Sequence, residues 1–248
     1  MTYSKEALGQ PSTTLVLCGG RGERMGEAYR DQQKVLLDVG GITLLEQVVR
    51  GVVKEADGSA AQRKVALLTG HGANAVEKEV DRWPSWLSGN VASIEEYHAG
   101  ENSLAGLISH LPNPRTMVSG NVLLDYPAIL GQVEGLLRDD PQRPVVVGSP
   151  ILRTSTHYAI EVEGADVTAL TRRAATPADR EVVDVFGLTD EVIDLADQAG
   201  RGCATALARH VTDLRPQYIE YDGGWAHFEV PQDFENYLGG LYGNFDNR

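Results

Sequence analysis

From Leu15 to Gly26 the chain reads Leu-Val-Leu-Cys-Gly-Gly-Arg-Gly-Glu-Arg-Met-Gly, and Lys34-Val-Leu-Leu follows shortly after. An apolar run that stops on glycine constrains the fold sharply. The run has the length and composition of a buried strand. The segment after it must turn through conformations that only glycine adopts freely, and such a turn lets N–H groups point inward at an anion. Arg21, Arg24 and Lys34 add the positive charge that a nucleoside triphosphate needs. The stretch predicts a strand-to-helix junction built around a nucleotide.

Charge sharpens that expectation. Against 35 acidic side chains stand 22 basic ones, for a net charge of −13. Such a surface repels nucleic-acid backbones and anionic membranes, so neither is expected as a partner. Basic residues gathered in one loop of an acidic chain therefore mark a local anion site. The 248 residues, 42% of them apolar, suit one large domain with a proper core. Cys18 and Cys203 form no disulfide framework and lack metal-ligand spacing. The N-terminus has no apolar leader core and no run approaches a membrane span, so a soluble cytoplasmic protein is expected.

Residues 1–12, polar with Gly9 and Pro11, read as a flexible arm, and 13–248 as a single domain. Strands are expected over 13–18, 34–39, 64–69, 91–97 and 116–119. Helices are expected from Thr43, where Thr43 and Glu46 form a capping box, and over 73–83, 102–111 and 127–138. This βα alternation implies a mostly parallel, Rossmann-like sheet flanked by helices. Past residue 144 the pattern changes to strands at 145–148, 156–162, 167–171 and 182–188, which predicts antiparallel additions. A helix over 203–214, strands at 218–221 and 226–230, and a helix over 232–241 complete the order. The change of pattern divides the chain into a half over 13–143, which carries the glycine loop and so would bind the nucleotide, and a second half over 144–248. The acidic string Asp184, Asp190, Glu191, Asp194 and Asp197 reads as a solvated face.

The glycine loop has rivals. A Walker A loop needs a Gly-Lys-Ser/Thr ending, which is lacking. A dinucleotide fingerprint is matched by Gly20 and Gly22 but not at Met25, with Asp38 available as the ribose-binding acid. A purely structural turn leaves the clustered cations unexplained.

Leu17-Cys-Gly-Gly-Arg-Gly-Glu-Arg-Met followed by Lys34-Val-Leu-Leu-Asp-Val-Gly-Gly resembles the signature of the sugar-1-phosphate and phosphocholine (phosphonate) nucleotidyltransferases, with Gln33 where that family usually has proline. Later segments resemble it in the right order. They are Leu68-Thr-Gly-His-Gly-Ala, Glu101-Asn-Ser-Leu, Val118-Ser-Gly-Asn-Val-Leu-Leu-Asp, Val185-Phe-Gly-Leu and Gly224-Trp-Ala-His-Phe-Glu-Val-Pro-Gln-Asp. The resemblance implies a GT-A-like α/β fold and transfer of a nucleotidyl group to a phosphate or phosphonate oxygen with release of pyrophosphate.

It also implies site residues. Leu17, Cys18, Gly19, Gly20, Arg21, Gly22, Glu23 and Arg24 would hold the nucleotide, with Arg24 and Lys34 as the catalytic cations. Gly70, His71, Asn102 and Ser103 would lie near the base. The family's two metal aspartates fall on Asn121 and Glu229, so Mg²⁺ is the expected cofactor at a site with one charge fewer than usual. Tyr158, Trp225 and His227, with Arg153 and His157 nearby, are candidates for a small cationic or zwitterionic acceptor. The short chain favours the phosphocholine or phosphonate branch, hence CTP as donor. A sugar-1-phosphate nucleotidyltransferase and a catalytically weak nucleotide-binding relative are the alternatives. A homodimer is compatible with the strand-rich middle, which has an edge to pair.

Overall fold

A computed structural model describes residues 12–19, 26, 32–54, 63–70, 72–151, 158–173, 176 and 179–239. The chain divides into two compact units, each assembled from separated segments, and neither coincides with the expected halves 13–143 and 144–248.

The unit formed by Thr14–Glu96, Val118–Ala128 and Gly223–Arg248 carries the glycine loop. Its apolar runs form β1 (Ser12–Leu17), β2 (Arg63–Thr69) and β3 (Val91–Glu96), and β4 (Arg115–Ser119) ends in it. The strand order is β3-β2-β1-β4, with β2 and β3 parallel. The chain thus steps outward from β1 to β3 and returns to the other side of β1. A reversal of this kind opens a crevice at the carboxyl ends of the two central strands.

Helix α1 (Leu44–Val52) is capped as its sequence predicts, Thr43 Oγ1 accepting from the Glu46 N–H at 3.2 Å. Its stripe of Leu44, Leu45, Val48, Val49 and Val52 is fully buried, worth about 2 kcal/mol per side chain in apolar area removed from water. Helices α2 (Ala73–Val80) and α3 (Ser85–Ser88) follow β2. The expected strand over 34–39 is not formed. Lys34–Leu36 is a 3-10 turn held by Leu36 N–H to Gln33 C=O and Leu37 N–H to Lys34 C=O. Four apolar or basic residues are too few to choose strand over turn without a neighbouring strand to pair with.

The other unit, Met1–Thr13, Tyr97–Met117 and Ile129–Asp222, holds the expected antiparallel additions. Its strands are β6 (Val145–Ser149), β7 (Tyr158–Glu163), β8 (Asp166–Arg172), β9 (Arg180–Leu188) and β10 (Gln217–Glu220), in the order β4-β9-β6-β10-β8-β7. β9 also pairs with β7, so five strands close into a circuit. β10 runs parallel to β6, whereas β9 runs antiparallel to both β6 and β7. α4 (Leu104–Ile108) lies in this unit, as does most of α5 (Tyr126–Asp139).

The acidic string hides α6 (Asp190–Ala199), capped by Thr189 and closed by Gly200 at φ +59°, with Val192, Ile193 and Ala196 inward. The expected helix over 203–214 is broken at His210 into α7 (Cys203–Arg209) and α8 (Val211–Leu214). Both cysteines are buried and free. Among the described residues no helix is long and apolar enough to cross a membrane.

Candidate active site

The strand β1 delivers Leu17, Cys18 and Gly19 to the crevice. Cys18 is locked into the strand pairing, its N–H donating to Leu68 C=O at 2.8 Å. Burial pushes its thiol far above the usual range, which removes it from thiolate chemistry. Gly19 lies against the end of β2: a Cβ there would sit 3.1 Å from the Gly70 backbone nitrogen. A side chain there would press on the Gly70 backbone, which would have to give by a few tenths of an ångström. Gly20, Arg21, Gly22, Glu23, Arg24 and His71 lie outside the described residues.

On the other flank, the turn after β4 approaches β1 as closely. Gly120 N–H donates to Leu17 C=O at 2.9 Å, and a Cβ on Gly120 would come within 2.8 Å of that same oxygen. Lys34 sits half-buried in its 3-10 turn, next to Gln33. The Gln33 side chain fills the space beside Gly72, which holds φ +86°.

Asn121 follows Gly120 and opens β5 (Val122–Leu124), which pairs antiparallel with β11 (Trp225–His227). The pairing continues past the strand. Phe228 N–H donates to Asn121 C=O at 2.9 Å, and the Asn121 side-chain Nδ2 donates back to Phe228 C=O at 3.0 Å. Asn121 Oδ1 accepts from the Ser119 hydroxyl. The carboxamide is 6% exposed and acts as a clamp that holds the neighbour of Glu229 in place. Sequence reasoning had no signal for this clamp, because Ser119 and Phe228 matter only once the two segments meet.

Alternation along the extended chain sets the rest. Phe228 turns to one side and packs its ring against Phe234 and Tyr237 of α9 (Pro231–Leu238), with centroids 4.7 and 5.3 Å away. His227 and Glu229 turn to the other, where His227 Nε2 lies 3.3 Å from Glu229 Oε1. Asp233 accepts from the Glu229 and Val230 N–H groups at 2.7 and 2.8 Å, which fixes the start of α9. Trp225 is fully enclosed in the core and His227 is 2% exposed, so neither ring offers a face to a bound molecule.

Asn102, Ser103 and Tyr158 belong to the other unit. Asn102 Oδ1 accepts from His98 N–H at 2.9 Å. Ser103 caps α4, accepting from Gly106 N–H at 3.0 Å and donating to Asp197 at 2.7 Å. Asp197 also accepts from the Leu104 and Ala105 N–H groups at 2.8 and 3.0 Å. Tyr158 is half-buried, its hydroxyl 3.4 Å from that of Thr205.

A family model for the MobA-like NTP transferase domain matches residues 14–149, from β1 through β6. The chain belongs to that family. The match takes in the glycine loop, Lys34 and Asn121, and leaves Tyr158, Trp225, His227 and Glu229 beyond it. Solved structures of NTP transferases carry the comparison along nearly the whole length. A UDP-glucose pyrophosphorylase complexed with UDP-glucose superposes with a TM-score of 0.73 at 14% identity, over 94% of this chain and 99% of that one. The inositol-1-phosphate CTP transferase from T. maritima gives 0.68 at 16% identity, over 92% and 95%. A UTP-bound UGPase from Acinetobacter baumannii gives 0.65 at 11%, over 94% and 93%. At these identities the likeness is one of fold, the GT-A-like nucleotidyltransferase fold. No curated protein sequence matches the chain significantly.

Proposed function

We propose that this nucleotidyltransferase is a cytidylyltransferase of the cytoplasm, moving CMP from CTP to a small phosphate- or phosphonate-bearing acceptor and releasing pyrophosphate. One observation carries the reading. Within a single unit, the glycine-edged end of β1 and the clamp that fixes Glu229 meet through the Gly120–Leu17 bond. A triphosphate held by the first would thus lie beside the carboxylate held by the second.

The chemistry asks little of the protein beyond charge and position. An acceptor oxygen forms a bond to the α-phosphorus while the bond to the α–β bridging oxygen breaks, and pyrophosphate leaves with that electron pair. The attacking oxygen is already anionic at neutral pH, so no general base is required. Backbone N–H groups from Gly19 onward, with Arg21 and Arg24, hold the β- and γ-phosphates. Lys34 neutralises charge gathering at the α-phosphate. Gly70, His71, Asn102 and Ser103 are assigned to the base side and Tyr158 to the acceptor side.

A Mg²⁺ ion suits the donor set at the clamp. Glu229 offers a carboxylate, and Asn121 Oδ1 retains a second lone pair beyond the one Ser119 uses. Among the described residues no group of three or more His, Cys, Asp or Glu gathers to cage a metal. When bound, Mg²⁺ would neutralise phosphate charge at Glu229 and Asn121.

A second reading, a sugar-1-phosphate nucleotidyltransferase using UTP, is favoured by the fold likeness to UDP-glucose pyrophosphorylase. Pyrophosphate release measured with each of the four NTPs separates the two. The acceptor panel is phosphocholine, 2-aminoethylphosphonate, inositol-1-phosphate and glucose-1-phosphate. CTP-dependent release with one of the first three is expected. UTP-dependent release with glucose-1-phosphate supports the second reading, and silence throughout overturns both in favour of a nucleotide-binding relative.

A further inference from the structure

We propose that His227 is the positioning residue for Glu229, holding its carboxylate at the cation site; the inference rests on the reading of Glu229 as a ligand for that cation. Glu229 stands where the family signature carries an aspartate. The extra methylene adds a rotatable bond, and a longer flexible side chain gives up more rotamer freedom when it is fixed. Its backbone is already secured, the N–H by Asp233 and the preceding residue by Asn121. What the backbone cannot fix is the direction of the carboxylate.

His227 is placed to fix it. The two residues project to the same side because they are two apart on extended chain. The imidazole is 1% exposed, and its backbone is registered opposite Val122 in the β5–β11 pair, so the ring has little freedom of its own. Its Nε2 lies 3.3 Å from Oε1 of Glu229, whose side chain is 16% exposed. An N–H on that nitrogen attracts Oε1 and thereby sets the direction of Oε2, which is buried. Partners that orient a metal ligand from behind typically account for about 10- to 100-fold in metal affinity.

The test is Mn²⁺ binding to the whole chain, followed by electron paramagnetic resonance of the free ion, with circular dichroism to confirm folding of each variant. Wild type should bind one ion at this site, and Glu229→Gln should lose it. His227→Phe keeps ring volume without a donor and should weaken binding about 10- to 100-fold. His227→Gln keeps an Nε2 donor at similar reach and should stay within about threefold of wild type, since the partner contact survives. If His227→Phe binds as tightly as wild type while Glu229→Gln does not bind, the role of His227 is overturned and the cation site stands. If Glu229→Gln binds like wild type, or wild type binds nothing, the cation reading itself fails. Should His227→Phe not fold, His227→Asn replaces it: its amide falls short of Glu229, and binding equal to that of His227→Gln overturns the proposal.

Discussion

Replacing Asn121 by aspartate restores the residue that the family signature carries, yet the structure predicts a loss of stability. The Asn121 amide donates to Phe228 C=O at 3.0 Å in a setting only 6% exposed. A carboxylate puts an oxygen without a proton against that carbonyl oxygen. The lost bond and the unsatisfied buried acceptor together cost about 1–3 kcal/mol. Enclosing a charge adds to that, while the Ser119 hydroxyl, now bonding to an anion, offsets part of it. A net loss of about 2 kcal/mol lowers the melting temperature by about 4–8 °C for a chain of this size. Thermal melts in chelator at neutral pH, repeated in saturating Mg²⁺, provide the measurement. The deficit should be full in chelator and smaller in Mg²⁺, because a ligand that binds only the folded chain stabilises it. A variant that melts with wild type in chelator would refute the clamp, and with it the claim that Asn121 fixes the Glu229 segment.

Other expectations are more direct. Lys34→Ala should lower turnover by about a hundredfold, the scale of losing one charge-stabilising group, with circular dichroism unchanged; a misfolded variant would make Lys34 structural. Ser103→Ala should cost about 1 kcal/mol through the lost cap of α4 and, with Ser103 assigned to the base side, raise the KM for nucleotide; an unchanged KM beside a lowered melt would make Ser103 a cap alone. Gly120→Ala forces a Cβ to within 2.8 Å of Leu17 C=O and should destabilise by about 1–3 kcal/mol, read by urea unfolding. Asp179 is held well below the usual carboxylate range by hydrogen bonds from Arg173 and then from the Thr176 side chain and backbone. Its stabilisation is complete above the unfolded carboxylate pKa near ~3.9 and fades as pH falls toward the lower folded value. Asp179→Asn should therefore lower the melting temperature at neutral pH and flatten its fall in acid, and an unchanged acid profile would rule that out.

Local signals carried much of the fold. The run before Gly19, the Thr43 cap with its five-residue stripe, and the proline-led α5 each contain enough local information to specify themselves. What escaped depends on partners distant in the chain. The 34–39 segment looks like a strand until the absence of a pairing neighbour leaves it a turn. α6 was hidden because its acidic residues outnumber the three inward apolar ones, Val192, Ile193 and Ala196, in any compositional reading. For the site, glycine and charge pointed to the β1 terminus, and family order pointed to Asn121 and Glu229. The roles of Phe228 and Asp197 arise from contacts across about a hundred residues, which no spacing rule encodes, whereas Ser119 and His227 act two residues away, on Asn121 and Glu229, and gain meaning only from what those two do. Trp225 illustrates the converse: an aromatic residue in the right segment for recognition, but enclosed in the core.

The β5–β11 pair joins residue 122 to residue 227, and this separation bears on the order in which a ribosome can make the site. The glycine loop and Lys34 leave the exit tunnel first, and Glu229, His227 and the partner of β5 follow about a hundred residues after β5 itself. Until they arrive, β5 has no strand beside it and Asn121 has no carbonyl to hold. A nascent chain, or one cleaved by a protease just after Asp222, would keep the glycine loop and lack the carboxylate assigned to the cation. Competence for transfer is thus withheld until the segment around Glu229 has been made.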